Sequence, residues 1–386
     1  MRTTTPNGAP HAFRIAIYAD TGSGYTRKII QGSAQACVEH GMSSKFIDTT
    51  YGWPDPNRWK IDGAIATIVD DKTASAVRNW GIPVINVSSR LLQCEFPSAF
   101  PDNRRVGEIA AQHFLYQKSR TFVTRYMFPA RFVEERIEGF QNAIEGAGHS
   151  VHVFRDVSAD GAEMLAFLKQ ARKPVGFFVL ADSQAYSLME PLADAGLVVP
   201  RDVQLIGVDN DELLCLMTNP RLSSVDANFE IVGETAVKLL RQWLLTGKRP
   251  PDETRIPPRG LVIRQSSNLV GTKDELVNQA LQLIRAEAQA GISVKQLSSQ
   301  LTTSRRRLEL RFHEALDSTP AKEILRVQVE HACQLLVDTE LPLHRVAEAS
   351  GLGTERQMRK AFRRTLHMTP SGYREQFRPR MGRALP

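Results

Sequence analysis

From Phe13 onward the chain alternates between two hydrophobic periods. Short apolar or β-branched runs (RIAIYA from Arg14, GAIATIV from Gly63, IPVINV from Ile82, RTFVTRYM from Arg120, VGFFVL from Val175, VQLIGV from Val203) read as parallel strands buried on both faces. Between them, apolar residues recur at helical spacing: Ile29, Ala36 and Val38; Val106, Ile109, Ala110 and Phe114; Leu188, Leu192 and Ala195. Strand, helix, strand is the order of parallel sheets covered by helices on both faces. The pattern runs over residues 13–270, more than one open sheet needs, so two α/β lobes are expected. The Pro-rich stretch Phe96–Pro101 is the expected crossing between them, and residues 1–12 read as a disordered tail.

Past Gly271 the period changes to helix alone, and the sequence repeats itself. Leu308, Phe312, Leu316 and Thr319-Pro320 recur 50 positions later as Met358, Phe362, Leu366 and Thr369-Pro370, with Ser304 and Thr354 at the same offset. Each copy predicts a short helix, a turn and a second helix opening at a Ser or Thr N-cap. The copies span about residues 293–316 and 343–366. Between them AKEILRVQVEHACQLLVD predicts one apolar-faced helix about 27 Å long. The expected division is a two-lobed α/β domain over 13–270, a linker over 271–275 and a helical domain over 276–386.

Charge sharpens the second half of that division. The chain of 386 residues carries a formal net charge of +7. Residues 276–386 hold 18 Lys and Arg against 11 Asp and Glu, so the whole excess lies there and residues 1–275 are neutral. A basic segment on a neutral body points to an anionic partner, with double-stranded DNA first. In each second helix the i, i+4, i+8 positions are apolar, which leaves Arg305, Arg306 and Glu309 on the opposite face of one copy. The other copy presents Arg356, Gln357, Arg359 and Lys360. Arg, Gln and Glu suit base edges in a major groove, whereas Arg311, Arg363 and Arg364 suit phosphates. A solvated basic face explains any single charge run. Two copies at a fixed offset favour a pair of helices entering successive major grooves, roughly 34 Å apart.

Chemistry elsewhere is mostly excluded. The four cysteines, Cys37, Cys94, Cys215 and Cys333, lack metal or redox spacing and fit a reducing, cytoplasmic setting. No apolar leader or membrane-length apolar run occurs, so neither secretion nor membrane insertion is expected. Gly22-Ser23-Gly24 continues to Arg27, which breaks the dinucleotide fingerprint, and no phosphate loop, serine elbow or metalloprotease motif is complete. No cofactor, metal or catalytic set is expected, and the chain reads as a non-enzyme. What remains is polar residues where open α/β sheets bind ligands: Tyr25 and Arg27 after the first strand, Asp182 after VGFFVL, and Asp209 after VQLIGV, with Asp102 and Arg136 beside predicted helix starts. Carboxylates, guanidinium groups and a ring such as Phe132 suit a sugar. For Asp182 and Asp209 the residues alone leave helix capping and ligand binding equally open.

Two resemblances bear on that choice. VAEASGLGTERQMRKAFRRTLHMTPSGYR resembles the C-terminal signature of arabinose-regulator (AraC-type) transcription factors, matching at Ala347, Gly351, Phe362, Pro370, Tyr373 and Arg374. Leu352, Met358 and His367 depart from it. FPDNRRVGEIAAQHFL, ARFVEERIEGF, VLADSQA and VPRDVQLIGVDNDEL resemble the ligand domain of the lactose/galactose repressors. Together they resemble the xylose-operon activators. The resemblance implies a periplasmic-binding-protein-like, two-lobed α/β domain followed by an all-α double helix-turn-helix domain. It further implies a sugar effector such as D-xylose in the cleft, a homodimer, and contact with RNA polymerase if the protein activates. By position, Asp102, Arg136, Asp182 and Asp209 would touch the sugar, with Arg131 and Phe132 as a basic–aromatic pair and Tyr25 and Arg27 at the first strand–helix junction. The rival readings are a sugar enzyme with a helical appendage, a repressor answering to another sugar, and a non-specific DNA binder.

Overall fold

A computed structural model describes residues 13–126, 128–155, 161–268, 274–316, 318–366 and 368–377. The expected tail over 1–12, most of the expected linker, and His367 lie outside these residues.

The chain opens with β1 (Arg14–Ala19), α1 (Gly24–Glu39), β2 (Ser43–Asp48), β3 (Gly63–Ala66), α2 (Asp71–Arg78), β4 (Val84–Asn86) and β5 (Ser98–Pro101). It then crosses to a second lobe: α3 (Asn103–Tyr116), β6 (Thr121–Arg125), α4 (Arg131–Gly146), β7 (Val151–Phe154) and α5 (Ala162–Gln170). That lobe continues through β8 (Val175–Phe178), α6 (Asp182–Asp194), β9 (Val203–Val208), α7 (Glu212–Met217) and β10 (Ser223–Asp226). The chain returns to the first lobe for α8 (Phe229–Thr246) and β11 (Glu253–Ile256), and crosses once more for β12 (Gly260–Val262). The sheets order as β11-β5-β4-β3-β1-β2 and β12-β10-β9-β8-β6-β7. All pairings are parallel except β10 with β12. Three connections therefore tie the lobes, and the C-terminal ends of β1, β8 and β9 face the gap between them.

The central strands follow the hydrophobic runs, which are buried on both sides; β1 and β9 keep almost every side chain inside. The structure departs from the sequence expectation at edges and corners. β2 is largely exposed and too polar to register as a buried run. Ser98–Pro101, expected as a crossing loop, is a buried strand, and the crossing falls immediately after it at Asp102. Val38, expected on an apolar face, points into solvent at 73% exposure. In the second lobe α3 and α4 touch backbone to backbone. A Cβ on Gly107 would lie 2.1 Å from the Arg136 carbonyl oxygen, and one on Gly139 2.0 Å from that of Arg104. Only glycine permits that approach, and it fixes where α3 runs.

The C-terminal arm comprises α9 (Glu275–Glu287), α10 (Val294–Gln300), α11 (Arg305–Leu316), α12 (Pro320–Asp338), α13 (Leu343–Ala349), α14 (Glu355–Leu366) and α15 (Pro370–Phe377). Helix α12 is the spine. Leu308 and Phe312 are buried in one small core with α9, and Met358 and Phe362 in the other with Tyr373 packed at its edge. Ser293 and Gln296 form a reciprocal capping box at the start of α10, which satisfies two orphan backbone groups. Gly351, at φ +77°, makes the second turn, and a Cβ there would collide with the Ala288 carbonyl oxygen at 2.2 Å.

Candidate ligand cleft and nucleic-acid interface

The cleft is built on the loop following β9. Asp209 and Asn210 both take positive φ, 107° and 47°. For non-glycine residues such conformations persist only where the surroundings over-determine them, and they cluster at functional sites. The surroundings here are explicit. Asp209 N–H donates to the Val225 carbonyl at 3.1 Å, Asn210 N–H to Ser224 Oγ at 2.9 Å, and Arg264 to Asn210 Oδ1 at 2.7 Å. Beneath the loop, Asp182 accepts from the Asp211 N–H at 2.8 Å and from Ser224 Oγ at 2.7 Å. Asp182 is fully buried, and burial, with the Asp209 charge adding to it, holds its carboxyl above the ordinary aspartate range. The expectation that Asp182 touches a sugar is therefore corrected: it braces the loop that presents Asp209.

Asp209 faces Arg136, with Oδ1 4.0 Å from NH1. Arg136 is 4% exposed. It donates from Nε to Asn103 Oδ1 at 3.0 Å, donates to the Leu180 carbonyl, and lies 5.0 Å from the Phe132 ring centroid. Burial lowers its pKa, against the opposing charges of Asp209 and Asp182; it also raises that of Asp209. Tyr25 closes the other side, 5.4 Å ring to ring from Phe229. Its hydroxyl is pushed up to about 12 by burial, with Asp20 and Asp209 adding. Asp102 caps α3 by accepting from the Arg105 N–H at 3.2 Å, so the capping reading holds for one of its oxygens. Tyr25, Phe132, Arg136 and Asp209 thus gather into one polar and aromatic floor.

Arg27 and Arg131, expected beside a ligand, are engaged across the lobes instead. Arg27 pairs with Asp211 at 3.1 Å. Next to it Lys28, which the sequence reading missed, donates to the carbonyls of Asp209 and Asn210 at 2.9 and 2.8 Å. At the opposite rim Arg131 pairs with Glu253 at 2.7 Å and Arg255 with Glu135 at 2.8 Å. The backbone N–H of Phe132 donates to the Ser89 carbonyl at 3.0 Å. These ties hold the lobes closed on each other. Nothing local in the sequence marks Lys28; its partners are about 180 positions away. Asn103, which the sequence reading also missed, directly follows the expected Asp102. Among the described residues no group of three metal-ligating side chains comes together, and no helix is long and apolar enough to cross a membrane.

On the arm, Arg305, Arg306, Arg356, Gln357, Arg359 and Lys360 are exposed. Arg305 pairs with Glu309 at 2.8 Å and Arg359 with Glu355 at 2.6 Å. Exposed pairs one turn apart are worth about 0.3–0.5 kcal/mol, too little to withhold either arginine from DNA. Gln357 is partly committed within its own helix. Its Oε1 accepts from the Thr354 N–H at 2.9 Å and hydroxyl at 2.8 Å, a capping box that Thr-x-x-Gln already spelled; only its amide nitrogen remains for a base. Arg311, expected on phosphate, instead pairs with Asp274.

Comparison with known proteins assigns residues 111–267 to a periplasmic-binding-protein-like domain family and 297–376 to a helix-turn-helix domain family. Along its length the chain is 26% identical over 383 residues to a xylose operon regulatory protein of Haemophilus influenzae, covering 94% of this chain and 98% of that one. The Escherichia coli K12 counterpart is 26% identical over 380 residues, with 94% and 97% covered. Among solved structures, a xylose-binding transcription activator superposes with a TM-score of 0.60 at 22% identity, covering 96% of this chain and 99% of that one. At that identity the likeness is one of fold.

Proposed function

From a DNA-binding transcription regulator with a periplasmic-binding-protein-like body and a helix-turn-helix arm, whose homologues are regulators and not enzymes, we propose a sugar-responsive activator of pentose catabolism genes. Its effector is D-xylose or a close relative, in keeping with the name its homologues carry. The observation that carries the reading is the cleft floor: a buried guanidinium on α4 between Phe132 and Asp209, with Asp209 and Asn210 both held at positive φ in the loop after β9. Asp209, Arg136 and Asp102 supply paired acceptors and donors for vicinal hydroxyls, and Tyr25 and Phe132 supply faces for the sugar ring. Arg27 and Arg131 act with Lys28 as ties that close over the ligand, and Asp182 as the brace beneath.

Residues 13–270 form the regulatory domain and 276–386 the DNA-binding domain, joined by 271–275. The protein acts in the cytoplasm as a homodimer. Arg305, Arg306, Glu309, Arg356, Gln357, Arg359 and Lys360 face operator half-sites, and RNA polymerase is the downstream partner. Sugar regulates by unequal affinity for the open and closed bodies, since a ligand indifferent to the two shifts nothing. A thermal-shift panel of pentoses and hexoses tests this. Ligand at 100 times its Kd stabilises the native state by about 2.7 kcal/mol, and Arg136→Ala should abolish that shift. A panel in which no sugar raises the melting temperature overturns the assignment.

A further inference from the structure

The Gly22-Ser23-Gly24 turn, which fails as a dinucleotide fingerprint, still makes a cationic helix end. Helix α1 starts there with no acidic residue in its first turn, and its N-cap residue Ser23 makes no side-chain cap. The Ser23 hydroxyl lies 2.6 Å from Thr26 Oγ1 instead. Arg27 and Lys28 follow at once, where the helix dipole favours an anion and not a cation. Asp20, on the same turn, folds one oxygen back onto the Gly22 N–H at 2.9 Å. The first lobe thus presents a positive helix end and two cations to the gap between the lobes.

The second lobe fills that end. A Cβ on Gly24 would lie 2.2 Å from Asp211 Oδ2 and 2.7 Å from its Cγ, so the carboxylate rests against the first residue of α1. The same oxygen pairs with Arg27 at 3.1 Å, and the Asp211 side chain is only 9% exposed. Its placement is fixed from behind. Oδ1 accepts from the Leu213 N–H at 3.1 Å as the cap of α7, and the Asp211 N–H donates to Asp182 at 2.8 Å. This seat borders the cleft floor, since Gly24 directly precedes Tyr25 and Asp211 stands two residues after Asp209.

A negatively charged sugar could enter only by displacing Asp211 from the seat or by lying beside its charge, and either opposes closure of the lobes. An uncharged sugar meets neither obstacle. Resting on the sugar-response reading above, we infer that Asp211 is a specificity-determining residue. It fills the cationic end of α1 when the lobes close, and so excludes sugar acids and sugar phosphates from the cleft.

Calorimetry on the full chain with α-D-xylose 1-phosphate and D-glucuronate tests this. Both keep the xylopyranose ring and add a negative group at one of the two carbons flanking the ring oxygen; D-glucose, with a neutral group in place of the carboxylate, controls for bulk. Should another neutral sugar be the tightest ligand, its own 1-phosphate and uronate replace these two. Wild type should bind D-xylose, and both anionic derivatives about a hundredfold more weakly or worse. Asp211→Asn keeps an oxygen for the Leu213 N–H and removes the charge, and Asp211→Ser is a second cap of the same kind. Either should leave D-xylose affinity within about fivefold, because a half-exposed ion pair contributes little, while affinity for an anionic derivative rises about tenfold or more. The gain should shrink at high salt and vanish when Arg27→Gln is added. Mere loosening of the loop would weaken every ligand and could not favour one charge class. Unchanged affinities for both anionic derivatives in Asp211→Asn, or a gain matched by D-glucose, overturn the inference, as does a wild type that binds an anionic derivative as tightly as D-xylose. A wild type that binds no neutral sugar defeats the sugar-response reading itself, and this inference with it.

Discussion

Gln328 decides whether the two helix-turn-helix units act as one rigid reader. It sits mid-way along α12, 8% exposed. Its amide donates to the Ala288 carbonyl at 3.0 Å, at the end of α9, and to the Gly351 carbonyl at 2.8 Å, in the turn of the second unit. Replacement by Met keeps length and volume but removes both donors. The Ala288 oxygen retains the Gly291 N–H at 3.0 Å, so that carbonyl does not bear the full cost of isolation. Two neutral hydrogen bonds at about 0.5–1.5 kcal/mol each give roughly 1–3 kcal/mol. In a domain of this size each kcal/mol moves Tm by about 4–8 °C, so the arm's transition, followed by circular dichroism at 222 nm, should fall by about 5–20 °C. In DNA binding, the advantage of a two-half-site duplex over a single half-site should shrink, because the spacing between α11 and α14 is no longer enforced. An unchanged melting temperature together with an undiminished two-site advantage would refute the idea that this bridge fixes the spacing.

Other outcomes follow from the same geometry. Burial holds the Asp182 carboxyl protonated at pH values where the unfolded chain has released its proton. This contribution to stability is complete below the ordinary value of 3.8 and is lost as pH rises towards the raised folded value. Asp182→Asn should therefore flatten the decline of body stability towards neutral pH; denaturant titrations from pH 5 to pH 8 giving equal slopes in both proteins would contradict the assignment. Arg356→Ala should cost about 1–3 kcal/mol on its preferred duplex and little on random DNA, whereas Arg363→Ala should weaken both and reduce the salt slope; identical losses would reverse the base and phosphate roles. Lys28→Met removes two charged hydrogen bonds across the cleft and should weaken sugar binding roughly tenfold, about 1.4 kcal/mol, with a larger radius of gyration in the sugar-free protein by small-angle scattering.

Much of the architecture is legible in the sequence because burial imposes a period. The central strands β1, β3, β8 and β9 carry predominantly apolar runs and sit where those runs predict. The repeat at an offset of 50 places Leu308, Phe312, Met358 and Phe362 in two small cores, since an amphipathic helix of fixed length has only one face to bury. Edge strands escape this logic: β2 is wet on most of its surface, so its residues need not be apolar. The Ser98–Pro101 strand escapes it because proline signals a turn wherever it is read alone, while its position beside β11 makes it a buried rung.

The chain's own pattern therefore determined two α/β lobes, a doubled helix-turn-helix arm and a basic face on each second helix. It also put Asp182 and Asp209 at strand ends, yet it could not say which carboxylate meets the cleft. That was decided by the loop after β9, where Ser224 and the Asp211 N–H turn Asp182 inward and Lys28 holds Asp209 and Asn210 from the other lobe. Periodicity records which face of an element is covered; what covers it depends on contacts between residues some two hundred positions apart, and only the closed chain selects among them.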